Sequence, residues 1–153
     1  GPHLQKLALK GKYIELPYSI KGMDVTFSGL LTNIKQKFAK GIPKEDLSYS
    51  LQETAFAMII ESSERALAYT RKKELLVGGG VGCNSRLQEM CSLMCKDRGA
   101  KFFVPSLDLL TDNGAMIAFL GEKMFHAGIK IINPTNVIIN PRQRTDEIEV
   151  NWK

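Results

Sequence analysis

The chain has 153 residues, with 21 Lys and Arg against 16 Asp and Glu, a formal net charge of +5. That length can bury a core without disulfides or a structural metal. A hydrophobic share of 44% with 24% charged residues excludes wholesale disorder. The longest apolar runs, residues 55–60 and 75–77, are far too short to span a membrane, and no charged–apolar–small leader opens the chain, so no membrane partner is expected. Three cysteines without framework spacing point to a reduced intracellular protein. His3 and His126, the only two histidines, stand at opposite ends of the sequence. Metal or acid–base chemistry would therefore rest on carboxylates, or on ligands supplied from elsewhere. An isoelectric point near 9.1 permits an anionic partner without proving one.

In chain order, residues 1–11 read as a short helix with Leu4, Leu7 and Ala8 on one side and Gly11 as its stop. Short extended pieces follow around Pro17 and Gly22. Leu30, Ile34 and Phe38 recur every four residues, as one face of a helix that Gly41 and Pro43 end. A longer helix is predicted from Lys44 to about Lys72, burying Leu47, Leu51, Ala55, Met58, Ile59, Ala66 and Tyr69, with Glu53, Glu61, Glu64 and Arg65 mostly outside. Residues 74–77 form an apolar run that stops at three consecutive glycines, as a buried strand entering a tight turn would. Arg86 to Arg98 returns to helical spacing through Leu87, Met90, Cys91 and Met94. A strand over 101–104 ends at Pro105, and Asp112 reads as the cap of a helix over 113–127 stopped by Gly128. Ile148, Val150 and Trp152 alternate with polar residues and predict an edge strand. Strands alternating with helices make the fold class α/β, one folded unit with an extended tail.

The segment LLVGGGVGCNSRL over residues 75–87 carries the most local information. A strand that runs into glycines and then a helix can bring backbone N–H groups close to an anion, with the helix dipole adding positive charge. The segment lacks the Gly-Lys-Ser/Thr of a P-loop, and Cys83 stands where a dinucleotide fingerprint needs its last glycine. Asn84 can both donate and accept, as reading a ribose or a base edge requires. The same pattern also serves as a plain sharp connection. Asp112 has two readings as well, a helix cap or a carboxylate ligand for a divalent metal. Cys83, Cys91 and Cys95 lack the CxxC pairing of a zinc site and read as core packing. His126 is placed to meet the last-turn carbonyls of its helix, and Arg142 and Arg144, with Lys153 nearby, read as a solvated edge.

Five motifs strongly resemble the universal tRNA threonylcarbamoyladenosine synthesis family. They are GGVGCNSRLQEM at 79–90, DNGAMIA at 112–118, LPYSIKGMDVTFSG at 16–29, SLQETAF at 50–56 and RTDEIEV at 144–150. Their style is that of the archaeal and eukaryotic members, the catalytic subunit of the KEOPS complex. The resemblance implies an actin-like ATPase (RNase H-like) fold of two lobes with nucleotide and metal in the cleft between them. Residues 1–15 would then be the connecting helix from the first lobe, and residues 16–153 the second lobe with its tail. It implies substrate or nucleotide contacts at Gly1, Gln5, Gly79, Gly80 and Asn84, and one metal ligand at Asp112; no catalytic residue is assigned. Gln5 falls where archaeal and eukaryotic members often carry Glu, and Gly78 where a larger apolar residue is usual. The implied cofactors are adenine nucleotide or threonylcarbamoyl-adenylate, and one divalent metal ion, iron or zinc, shared with a first lobe. That lobe would bring an H-x-x-x-H pair, which this sequence lacks.

The implied reaction moves threonylcarbamoyl from its adenylate to the exocyclic amine of the adenosine beside the tRNA anticodon. The implied partners are tRNA and the other KEOPS subunits, including the small kinase and the dimerising subunit, in the cytoplasm or, in a eukaryote, also the nucleus. Two alternatives stand beside this reading. One is a non-catalytic lobe that docks a partner of the complex; the other is a sugar-kinase-type phosphotransferase on the same fold.

Overall fold

A 27-residue helix, α3 (Lys44–Thr70), is the axis around which the first 110 residues pack. It begins after Pro43, whose fixed φ suits a helix entry, and Glu45 and Asp46 in its first turn favour the positive end of the dipole. The computed structural model describes residues 1–129 and 133–152. It contains two compact units, Gly1–Leu110 and Thr111–Lys153. The division falls inside the stretch 16–153 that the sequence reads as one body, while α1 (Pro2–Ala8) packs along α3 within the first unit. Among the described residues no helix is long and apolar enough to cross a membrane.

Several segments packed on α3 are held by a polar hook as well as by apolar contact. The Lys12 N–H donates to Asp46 at 2.7 Å, and the Ile14 N–H donates to the fully buried Ser50 hydroxyl at 2.7 Å. A Cβ on Gly11 would stand 2.1 Å from the Glu45 carbonyl oxygen, so only glycine lets the chain leaving α1 pass this close to α3. Strands β1 (Ile20–Lys21) and β2 (Asp24–Val25) form an antiparallel hairpin, with Ile20 opposite Val25 and Gly22 at a φ of +63° in the turn. The hairpin turn lies on the far half of α3. There Arg65 donates to the Gly22 carbonyl and Ser62 to the Met23 carbonyl, both at 2.6 Å. The Tyr18 hydroxyl donates to Glu61, which also pairs with Arg65. Helix α2 (Ser28–Ala39) closes this end over Leu16, Leu30 and Met58.

The α/β part follows. Strands β3 (Glu74–Leu76) and β4 (Lys101–Phe103) pair in parallel, with Leu75 opposite Phe102, and α4 (Ser85–Asp97) crosses between them. Leu75 and Phe102 pack against two clusters shared by α3 and α4. One is Phe56, Leu87 and Cys91; the other is Leu67, Met94 and Cys95. A four-residue helix, α5 (Leu107–Leu110), ends the first unit by packing on the glycine turn. In the second unit, α6 (Gly114–His126) is followed by short 3-10 turns at Pro134–Asn136 and Thr145–Glu147.

Three expectations are corrected. The buried surface of α3 is not one apolar stripe: Ser48, Ser50, Gln52 and Thr54 are buried with Leu47, Phe56, Met58 and Leu67, because α1, α2, α4 and the hairpin surround it. Tyr69, placed in the stripe, is 80% exposed. The cap of α6 is Asn113, whose Oδ1 accepts from the Met116 N–H at 2.9 Å, so Asp112 is not the cap. The tail forms no strand among the described residues; Arg144 instead pairs with Asp146 at 2.7 Å. Lys153 lies outside the described residues. His126 sits 3.9 Å from Glu122, one turn back along its own helix.

Cys91 and Cys95 occupy the core as expected, whereas Cys83 is only half-buried and lies outside it. Burial, followed by the neighbouring Cys95, pushes the Cys91 thiol up from its usual 9.0 to about 11, and burial raises Cys95 as well. The folded state thus favours the neutral thiols. Their contribution to stability is present below about pH 9 and is lost as the pH rises toward about 11. A chromogenic thiol reagent at neutral pH should therefore label half-buried Cys83 first, and Cys91 and Cys95 only as the protein unfolds. Three thiols reacting at one rate in the native protein would contradict this packing.

Candidate functional site

The glycine turn joins β3 to α4 by a route that only glycine permits at one point. Gly79 has a φ of +82° and a ψ of 164°, a region closed to residues with a Cβ, and it leads into a 3-10 turn over Gly80–Cys83. Gly82 is confined by packing, since a Cβ there would meet Val77 at 3.1 Å and Leu110 at 3.3 Å. Around Gly78, Gly79 and Gly80 a Cβ would meet no described protein atom within 4 Å. The backbone here is open to a ligand's approach.

The turn forms one wall of a hollow of about 430 Å³, within the range of small-molecule sites. Gly1 and Gln5 from α1 and its cap, Gln52 and Phe56 from α3, and Gly80 and Asn84 from the turn come together around it. Leu4, Leu51, Ala55, Val81 and Cys83 complete a mostly apolar lining suited to a flat heterocycle. Four of the five contacts implied by the resemblance, Gly1, Gln5, Gly80 and Asn84, thus share one cavity, with Gly79 next to it in the chain.

The polar groups of the hollow are already engaged with one another. Asn84 Oδ1 caps α4, accepting from the Arg86 N–H at 2.9 Å and the Leu87 N–H at 3.3 Å. Its Nδ2 donates to Oε1 of buried Gln52 at 3.0 Å. Gln5 Nε2 donates to the Ser85 hydroxyl at 3.0 Å, tying α1 to the start of α4. The Gln5 carbonyl oxygen, one Asn84 N–H and the Gln52 amide N–H groups keep hydrogen-bonding capacity for a ligand. The N–H groups of Arg86 and Leu87 at the head of α4 are taken by the cap, so an anion would meet the glycine turn rather than the helix end.

A charged clamp stands behind this wall. Arg86 grips Glu53 in a two-point pair, Nε to Oε1 at 2.9 Å and Nη2 to Oε2 at 2.8 Å, and reaches Glu89 through Nη1 at 2.7 Å. Hydrogen bonds to both carboxylates hold the Arg86 guanidinium above even its ordinary pKa. Sequence reasoning missed Gln52, Phe56 and this clamp. In the sequence Glu53 reads as mostly outside, and Gln52 lies off the apolar stripe. The available signal was the cluster of polar residues at 48, 50, 52 and 54, which a helix packed on one face only would not bury.

Asp112 lies in the second unit with its residue exposed. Among the described residues no group of three or more His, Cys, Asp and Glu side chains converges to hold a metal ion. The described residues therefore do not by themselves fit the divalent ion that the resemblance implies.

Comparison with known proteins addresses the chain as a whole. The family described as TsaD, tRNA N6-adenosine threonylcarbamoyltransferase, matches residues 1–119. A tRNA N6-adenosine threonylcarbamoyltransferase of Thermococcus kodakarensis is 53% identical over 99% of this chain and 47% of its own length. One from Methanocella arvoryzae is 50% identical with the same coverage. A probable bifunctional tRNA threonylcarbamoyladenosine biosynthesis protein of Methanocorpusculum labreanum is 50% identical over all of this chain and 29% of its own length. The chain spans about half the length of the monofunctional relatives it matches. On the strength of these matches and of the motifs gathered at the hollow, the chain belongs to the tRNA N6-adenosine threonylcarbamoyltransferase family.

Proposed function

We propose that this chain is the second, actin-like lobe of a tRNA N6-adenosine threonylcarbamoyltransferase, with residues 1–15 as the connecting helix, and that its hollow receives the adenylate end of the threonylcarbamoyl donor. The observation that carries the reading is the convergence of Gly1, Gln5, Gly80 and Asn84 on one mostly apolar cavity. The apolar lining would take the base, the spare amide groups of Gln5, Gln52 and Asn84 would orient it, and the open glycine backbone would admit the phosphate. In the reaction, the exocyclic amine of the tRNA adenosine attacks the carbamoyl carbon. A C–N bond forms, the C–O bond to the phosphate breaks, AMP leaves, and the amine loses one proton. This chain's share is to bind and orient the donor, so that attack becomes effectively intramolecular.

The partners in this reading are tRNA and the other subunits of a KEOPS-type complex, among them the small kinase and the dimerising subunit. The family match favours acyl transfer over the sugar-kinase alternative.

With one wall of a two-lobe cleft, the chain alone should bind adenine nucleotide with a dissociation constant above about 1 μM, since small-ligand sites normally bury most of the ligand. Asn84→Ala should weaken binding further. It should also cost about 2 kcal/mol of stability by removing the cap and leaving buried Gln52 unpaired. Calorimetric titration and chemical unfolding measure both. Sub-micromolar binding that Asn84→Ala leaves intact would overturn the assignment of the hollow.

Asp112 is proposed as one carboxylate of a metal site completed by ligands outside this chain. Because Asn113 and not Asp112 caps α6, Asp112→Ala in the complete protein should shift stability by no more than about 0.5 kcal/mol. Bound metal and transfer to tRNA should both fall at least tenfold. Elemental analysis, thermal unfolding and a transfer assay on the same variant give the three readouts. Normal metal content and near-normal transfer would refute the ligand role.

A further inference from the structure

We infer that the surface where α3 ends and β3 and β4 begin is a docking face for the tRNA phosphate backbone, separate from the nucleotide hollow; the inference rests on the tRNA-modifying reading above. Arg71 ends α3 in the left-handed conformation, with a φ of +56°, at a position where glycine is the default. Arg71, Lys72 and Lys73 therefore leave the helix as three consecutive exposed bases. Two hollows, of about 410 and 310 Å³, open here side by side, and Lys72 and Lys73 line both. Lys101 joins the first from β4, its N–H donating to the Lys73 carbonyl at 2.8 Å, which holds the two strand starts together.

The charge is unbalanced. Arg98 is paired with Glu64 at 3.2 Å, and among the described residues Glu74 is the one acidic residue lining either hollow. Among the described residues Arg71, Lys72, Lys73 and Lys101 make no ion pair. Four cations on one face, mounted on a packed helix end and two strand starts, suit a polyanion with regularly spaced charges better than a single small anion. Tyr69 is 80% exposed two residues before Arg71, a ring of the kind that stacks on an unpaired base. The corresponding bland role, offsetting the α3 dipole, needs only one of these charges.

The test uses the complete protein that carries this chain and an unmodified tRNA transcript. Lys72→Glu/Lys73→Glu is compared with Lys35→Glu/Lys40→Glu, an equal charge change on and just after α2. The first double variant should weaken tRNA binding about tenfold or more near 100 mM salt, and should lower the slope of log affinity against log salt by about 2. The second should change affinity less than about threefold, and both should retain the parent's unfolding midpoint within a few degrees. At saturating tRNA the first variant should keep the parent's transfer rate, so that the defect lies in KM and not in kcat. If parent protein binds tRNA and Lys72→Glu/Lys73→Glu binds it equally well, or if both doubles weaken it alike, the docking face is overturned while the function stands. Absence of tRNA binding by the parent protein would overturn both, as would binding to phosphatidylserine vesicles in place of tRNA.

Discussion

The structure around the hollow depends on one amide. Asn84 caps α4 with its oxygen and holds buried Gln52 of α3 with its nitrogen, so the glycine turn, the crossing helix and the central helix are fixed by a single side chain. An N-cap contributes about 1 kcal/mol, and a buried partner left unpaired costs about 1–3 kcal/mol. Neither quantity decides whether the chain folds. Together they decide where the turn stands relative to α3, and hence the shape of the cavity between them. The two-point grip of Arg86 on Glu53, at the next position along α3, reinforces the same spacing from behind.

The polar residues of α3 follow the same logic along its whole length. Asp46 and Ser50 catch the segment leaving α1, Gln52 and Glu53 catch α4, and Glu61, Ser62 and Arg65 catch the hairpin and the irregular segment leading into it. Apolar contact supplies the bulk of the driving force but is not directional. The hooks choose the register at which the segment after α1, α4 and the hairpin lie on the central helix. This is why a site assembled from residues as far apart in sequence as Gly1, Gln52 and Asn84 can present one cavity. The apolar share of that cavity and its paired amides suit holding and orienting a ligand. Among the described residues it contains no charged side chain to take part in bond making.

Most of the elements were legible because they are local. The helices over α2, α3 and α4 came from apolar spacing, and the strand–glycine–helix sequence came from an abrupt change of period. What failed was non-local or competitive. Gln52 and Ser50 are absent from the apolar stripe, and a helix surrounded on several sides has no outward face that polar residues could mark. Asp112 and Asn113 are adjacent and both able to cap; which one does so is set by backbone geometry, with Asn113 extended at a φ of −147°. The alternation of Ile148, Val150 and Trp152 fits a strand, but a strand also needs a partner edge, which spacing alone does not supply. The roles of Gly1, Gln5 and Asp112 were not readable from spacing at all. They came from the resemblance; Gly1 and Gln5 both line the cavity.

Cys83 offers the most direct test of the central claim, because its half-buried thiol lines the hollow beside Asn84 while Cys91 and Cys95 are buried in the core. The rate of Cys83 alkylation, followed by mass spectrometry of the native protein with and without millimolar ATP or AMP, reports occupancy of the hollow without any need for turnover. The account predicts that nucleotide slows labelling of Cys83 several-fold, and that Asn84→Ala removes most of that protection. Labelling that proceeds at the same rate at saturating nucleotide would contradict the placement of the adenylate in this hollow.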